Sequence, residues 1–252
     1  MATLTLPSAA QMNAVYPINI PTATSSEYYT KTVNLKETAG SFLAEATMLV
    51  YDEILRYQRN VAFTHGLDEA QIAAFDFDAF EANVIWFMDE VVGIESSWKK
   101  DAVNPESGAY GYVQFLNQDS VETAVNRYRY HIEKFNTRRS SRDWNPRGYS
   151  DGSRMEYPDW LITLERKVNG DLIGTVMDPG DYDHQSDLSV LNYDEMVALA
   201  FVHMHSKDSK DYNFVQLAKG DVAAAKEIYK NNHHTDPDAA TLARMELFFQ
   251  IH

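Results

Sequence analysis

The sequence predicts an all-α fold behind an extended N-terminal arm. Apolar residues recur at steps of three and four along several segments, which is the spacing of amphipathic helices. Residues that commonly cap helices stand at the start of several of these segments. The chain has 252 residues, of which 44% are hydrophobic, so it can bury one sizeable core. We therefore expect one helical domain over 37–252.

The N-terminal stretch 1–36 has a different composition from the rest of the chain. It is rich in Thr, Ser, Ala and Pro, with Pro7, Pro17 and Pro21, and it shows no sustained helical period. This composition is typical of an extended arm or linker. Two interpretations stay open: a disordered tail, or an arm whose apolar and aromatic residues dock on neighbouring subunits.

Apolar periodicity and turn residues place the helices in order. Ser41 and Ser120 are candidate N-caps, and Asn192 with Glu195 fits a capping box. Helices are predicted over 41–62, 78–96, 119–135, 158–167 and 193–205, then over two segments divided at Gly220 and a last one opened by 235–238. The His233-His234 pair just before 235–238 is interpreted as structural, holding the helix junction.

Two long loops interrupt this helical pattern. The loop near 136–157 is rich in Arg and aromatic residues, so it is either a solvated insertion or a flap over a glycan cleft. The loop near 168–190 carries several Asp residues, but their spacing does not match the twelve-residue calcium loop. We read it as a solvated acidic loop and predict no metal site and no cofactor.

A carboxylate ends the apolar face of the helix predicted over 78–96. Val84, Met88, Val91 and Glu95 follow one another at steps of four, three and four. On such a face Glu95 is partly desolvated and lies at the negative end of the helix dipole. Both effects raise the pKa of a carboxyl group. Glu95 is therefore a candidate general acid.

The segment after Glu95 contains two glycines and a glutamine at steps of three. Gly108 and Gly111 allow a tight backbone turn and a close approach to a ligand. Gln114 offers an amide that can both donate and accept hydrogen bonds. An acid, an open turn and an amide together suit a sugar-binding cleft.

These residues resemble a known family in their order and spacing. Glu95-Ser96, then Ala102-Val103, then the Gly-x-x-Gly-x-x-Gln run over 108–114 is similar to the catalytic core of the soluble lytic transglycosylases. These are goose-lysozyme-like enzymes that cut peptidoglycan. The chain departs from the usual core in two ways, because Tyr112-Val113 replace Leu-Met and the spacer is one residue longer.

The resemblance implies a lysozyme-like fold and a lytic transglycosylase reaction. Glu95 protonates the oxygen between N-acetylmuramic acid and N-acetylglucosamine, and its carboxylate then deprotonates the muramoyl C6 hydroxyl to close a 1,6-anhydro ring. Ser96 or Ser97 is implied to orient Glu95. The implied substrate-binding residues are Gly108, Tyr110, Gly111, Tyr112 and Gln114.

A third family motif, Ala-Tyr-Asn, is altered in the helix over 193–205. At the matching positions the tyrosine is missing, and His203 stands in place of the asparagine. In the family this tyrosine lies near the catalytic glutamate. Either Tyr110, Tyr112 or Tyr193 supplies the missing aromatic group, or the site is weakened. His203 is either a core histidine or a substrate-binding residue, and both interpretations stay open.

Charge and composition bear on partners and location. A formal net charge of −15 argues against nucleic-acid and anionic-membrane partners. The chain has no Cys and no recognisable signal peptide. We therefore expect a protein made in the host cytoplasm and carried by a phage particle, whose virion or tail proteins bind the N-terminal arm. Its partner at the periplasm or cell wall is then the peptidoglycan glycan strand.

Two alternative functions remain open from the sequence. The first is a goose-type muramidase that hydrolyses the same bond, with an Asp such as Asp101 assisting a water molecule. The second is a structural virion or tail protein that keeps the fold with weak or no activity.

Overall fold

The computed structural model describes residues 41–61, 76–138, 154–168, 184–205, 212–233 and 237–249. Within these ranges the chain forms helices and no β-strand, so the predicted all-α class is confirmed. None of the described helices is long and apolar enough to cross a membrane. The helices are α1 (Ser41–Val61), α2 (Phe77–Ser96), α3 (Gln118–Arg138), α4 (Asp159–Val168), α5 (His184–Ser189), α6 (Tyr193–His205), α7 (Tyr212–Ala218), α8 (Val222–Ile228), a π-helical turn (Tyr229–His233) and α9 (Ala239–Phe248).

Several sequence predictions fall on other parts of the chain. The arm at 1–36 lies outside the described residues, and so do 139–153 and 169–183, which make up most of the two predicted loops.

Helix α6 lies at the centre of the described core. Every residue from Met196 to His205 is buried, as expected for a helix that is apolar on nearly all sides. Helices α1 and α3 pack against α6, and α1 also packs against α2. Helices α7 and α9 also pack against α2, and most residues of α2 are buried.

The start of α1 is capped from a distant part of the chain. The backbone N–H groups of Phe42 and Leu43 donate to Asp194 Oδ2 and Oδ1 at 2.9 and 3.0 Å. A carboxylate suits this position, because the first N–H groups of a helix lack partners within it and the dipole is positive there. The side chain of Ser41, the candidate N-cap, lies outside the described part of the structure.

The other predicted caps have different outcomes. Asn192 and Glu195 form a reciprocal capping box at α6, with hydrogen bonds of 3.0 and 2.8 Å, so that prediction is confirmed. At α3 the N–H of Ser120 donates to Asn117 Oδ1 at 3.0 Å. Ser120 therefore lies within the first turn, and Asn117 rather than Ser120 provides the capping oxygen.

Two described elements differ from the sequence expectation. Helix α5 lies in the region predicted as an irregular loop. Its Leu188 is fully buried and packs the short helix against the core. The five-residue π-helical turn continues directly from α8. Neither has a periodic apolar pattern long enough to be recognised from the sequence.

Candidate active site

Glu95 lies in the last turn of α2, at the end of a buried apolar face. Asp76 caps the start of this helix by accepting a hydrogen bond from Ala79 N at 2.8 Å. Val84, Met88 and Val91 are fully buried. The Glu95 side chain is 10% exposed, so it is largely shielded from water yet reachable at one edge.

The π-helical turn brings two side chains to the same oxygen of Glu95. The Tyr229 hydroxyl donates to Glu95 Oε1 at 2.5 Å across 134 positions of sequence. His233 Nε2 lies 3.4 Å from the same oxygen, and its side chain is 13% exposed. The rings of Tyr229 and His233 are 5.7 Å apart, so both approach Glu95 from one side of the turn.

The end of α9 fixes this turn against α2. Phe249, which caps α9, packs edge-on against the Tyr229 ring at 6.1 Å and stacks on Phe87 of α2 at 5.9 Å. Tyr229, Phe249 and Phe87 are all fully buried. The Tyr229 hydroxyl therefore reaches Glu95 from a ring packed in a buried aromatic cluster.

The chain leaves α2 through a sharp turn in left-handed backbone conformation. Ser97 has φ 53° and Trp98 has φ 59°, a region that non-glycine residues occupy rarely. The Trp98 indole N–H donates to Asp89 Oδ1 at 3.0 Å, and its ring packs 5.8 Å from Phe248. A Cβ on Gly93 would lie 2.5 Å from Phe248 Cε1 and 2.8 Å from Trp98 Cζ2, so only glycine fits there.

The segment that follows folds into a compact hydrogen-bonded turn. Gly111 N donates to Ala102 O at 2.9 Å, and Tyr110 and Phe115 exchange two backbone hydrogen bonds of 3.0 Å. Gln114, with φ 52°, donates from Nε2 to the carbonyls of Ala102 at 3.0 Å and Gly111 at 2.8 Å. The Gln114 amide nitrogen therefore holds the turn together, and sugar binding by Gln114 stays a prediction.

The two glycines of this turn have different surroundings. Gly111 has φ +88°, and an added Cβ would lie 2.7 Å from Met196 Sδ, so this glycine allows the turn to pack on α6. Gly108 has φ +74° and open space around its Cβ position. Its carbonyl oxygen is contacted by His184 Nε2 at 3.1 Å and accepts a hydrogen bond from Gln185 Nε2 at 3.3 Å, which ties the turn to α5.

The three tyrosines considered as replacements for the missing family tyrosine make other contacts. The Tyr110 hydroxyl donates to Asp101 Oδ1 at 2.7 Å, and the Tyr193 hydroxyl lies 3.4 Å from Asp89 Oδ1. Tyr112 packs edge-on against Tyr193 with ring centroids 5.1 Å apart. Another tyrosine, Tyr229, donates a hydrogen bond to Glu95.

Burial and nearby carboxylates raise the pKa values of two of these phenols. The pKa of Tyr193 lies well above its usual 10.0, because the hydroxyl is desolvated and faces Asp89. The pKa of Tyr112 is also raised, by burial and then by Asp101. Both phenols therefore stay neutral through the physiological range.

The remaining predicted site residues occupy these positions. Ser96 Oγ donates to Val92 O at 3.1 Å, so its hydroxyl is engaged with its own helix. Ser97 forms the C-cap of α2. His203 is buried on α6, with its ring 6.3 Å from that of Phe115. Asp101 is exposed.

Sequence reasoning missed Tyr229 and His233. The sequence groups His233 with His234 beside a helix junction, which favoured a structural role for the pair. Only the four-residue spacing between Tyr229 and His233 signals that they share a side of a helical turn. Among the described residues no three potential metal ligands lie together.

Comparison of the chain with protein-family models, curated proteins and solved structures finds no match.

Proposed function

We propose that the chain is a peptidoglycan lytic transglycosylase of lysozyme-like fold, which cleaves the bond between N-acetylmuramic acid and N-acetylglucosamine. The hydrogen bond from the Tyr229 hydroxyl to Glu95 Oε1 carries this proposal. Tyrosine beside the acid is what the altered Ala-Tyr-Asn motif left missing, and here a different segment of the chain supplies it.

The surroundings of Glu95 suit a group that alternates between acid and base. Burial and the carbonyl end of α2 both favour the neutral acid. The hydrogen bond from the Tyr229 hydroxyl favours the carboxylate, and His233 Nε2 lies 3.4 Å from the same oxygen. The site thus combines a largely buried carboxyl group with neighbouring polar groups that can stabilise its anion, as general acid–base catalysis requires.

Proton transfer follows from which oxygen Tyr229 occupies. Because Tyr229 donates to Oε1, we assign the transferable proton of Glu95 to Oε2. That proton moves to the glycosidic oxygen as the bond from C1 to this oxygen breaks. The resulting carboxylate then removes the proton of the muramoyl C6 hydroxyl as O6 bonds to C1, which closes the anhydro ring and returns Glu95 to its acid form.

The neighbouring turn supplies the wall of the proposed cleft. We propose that its open side lies at Gly108, where no atom of the described residues comes within 4 Å of a Cβ position and a sugar has room to approach the backbone. We further propose that a phage particle delivers the protein to the cell wall and that the arm at 1–36 binds virion or tail proteins. The net charge of −15 supports an enzyme held by an assembly, because it gives no attraction to an anionic wall.

Product identification tests this function. Purified Gram-negative peptidoglycan is digested with the wild type and with Glu95→Gln, whose folding is checked by circular dichroism, and the products are identified by mass spectrometry. Abundant anhydro-muropeptides from the wild type, and only traces from Glu95→Gln after long digestion, are the expected result. Reducing-end products would assign hydrolysis, and no products from a folded wild type would favour a structural role.

A further inference from the structure

We propose that the buried carboxylate of Asp89 is a positioning residue that holds the end of α2 and the turn 108–114 in register. This role rests on the proposed function, because the reaction needs Glu95 and the proposed sugar-binding turn, residues 108–114, at fixed positions relative to each other. Asp89 acts through Trp98 on one side and through Tyr193 on the other.

Asp89 is an acidic side chain in an apolar helix face. It is 1% exposed and lies six residues before Glu95 on α2. A buried carboxylate is costly unless hydrogen bonds compensate the lost hydration. Asp89 Oδ1 accepts from Trp98 Nε1 at 3.0 Å and lies 3.4 Å from the Tyr193 hydroxyl. One oxygen thus joins α2, the turn after it and α6.

The hydrogen bond between Asp89 and Trp98 fixes the backbone next to Glu95. Ser97 and Trp98 are two successive residues in left-handed conformation, and such a pair persists only where tertiary contacts stabilise it. The bond to Asp89 and the packing of the Trp98 ring on Phe248 supply those contacts. The direction in which the chain leaves α2 therefore depends on Asp89.

The contact between Asp89 and Tyr193 connects α2 to the proposed sugar-binding turn. The Tyr193 ring contacts Tyr112, which lies between Gly111 and Gln114. Burial and the charge of Asp89 both raise the pKa of Tyr193, so its phenol remains a neutral hydrogen-bond donor. A chain of side chains thus runs from Trp98 through Asp89 and Tyr193 to Tyr112.

Asp89→Asn keeps the size of the side chain and removes its charge, so it tests this role. We expect kcat on peptidoglycan to fall about tenfold or more with KM little changed, because small misplacements of a catalytic group reduce the rate strongly. Tyr193→Phe breaks only the longer contact and should reduce kcat less. Trp98→Phe keeps an aromatic ring without the indole donor, and it should reproduce the loss if Asp89→Asn fails to fold.

Two readouts do not depend on activity. In Asp89→Asn one tyrosine should ionise at lower pH in an ultraviolet titration, and backbone amide signals of 95–98 and 108–114 should shift in nuclear magnetic resonance spectra. An inactive wild type would refute the proposed function, while these readouts would still test the linkage. Wild-type kcat in a folded Asp89→Asn variant, or unchanged amide signals at 108–114, would overturn the role of Asp89.

Discussion

The candidate site has two halves that are built in different ways. The near half comprises the end of α2 and the turn after it, 93–115, where hydrogen bonds join residues close in sequence. The far half is the π-helical turn, Tyr229–His233, which aromatic packing on Phe249 holds against α2. Motif spacing therefore reveals the near half, whereas the far half depends on how distant helices pack.

The largest expected effect on kcat comes from a substitution in the far half, at Tyr229. Tyr229→Phe removes the hydroxyl that donates to Glu95 and keeps the buried ring, so we expect kcat on peptidoglycan to fall roughly tenfold to hundredfold with folding intact. This range follows from the roughly 1.5–3 kcal/mol contributed by a hydrogen bond to a charged group. Tyr157→Phe is the matched control, because it removes a 3.0 Å bond to Glu133 on the exposed surface. Equal rates for the two variants would contradict the role of Tyr229.

The second prediction concerns the packing of the near half at Gly93. Gly93→Ala places a methyl group within 3 Å of Phe248 and Trp98, and we expect the free energy of unfolding to fall by about 1–3 kcal/mol. Chemical denaturation measures this loss. Gly108→Ala is the comparison, because its Cβ meets no atom and only its positive φ strains it. An alanine at 93 that stabilised the protein, as alanine does in an open helix, would refute the close packing.

A smaller effect on kcat is expected from substitution of His233, which also belongs to the far half. His233→Gln keeps a hydrogen-bond donor but cannot carry a charge, so we expect kcat to fall by about fivefold or less, or about 1 kcal/mol. Lys230→Gln is the control on the same turn, because Lys230 pairs at 3.0 Å with Glu227 on the outside. A larger loss in the Lys230 variant would show that the turn, rather than the imidazole, matters.

The smallest effect concerns stability at high pH. The pKa of Tyr193 is raised above 10.0 in the folded protein, so the folded state retains a proton that the unfolded state loses. Stability from this group is complete below pH 10 and falls as the pH rises towards the folded pKa. Tyr193→Phe should therefore show a shallower loss of stability above pH 10 in denaturation measurements. Parallel pH dependences of the two proteins would contradict the shift.

The sequence predicts the fold class and the bounds of its most periodic helices. Helix α6 is observed over its predicted range, and α2 begins one residue earlier than predicted. Apolar spacing and local capping residues determine the bounds of both helices. The cap of α1 could not be predicted, because Asp194 comes from 151 positions away. Nor could Tyr229 be assigned to Glu95, because no local pattern encodes a contact made by packing.

One double-mutant cycle tests most directly whether the two halves form a single active site. The rate of anhydro-end formation is measured for the wild type, Glu95→Gln, Tyr229→Phe and the double variant, with long digestions for the slow proteins. If Tyr229 acts through Glu95, its substitution should change the residual rate of Glu95→Gln by less than about twofold. The same proportional loss in both backgrounds would contradict the account, because it would mean that the two residues act independently.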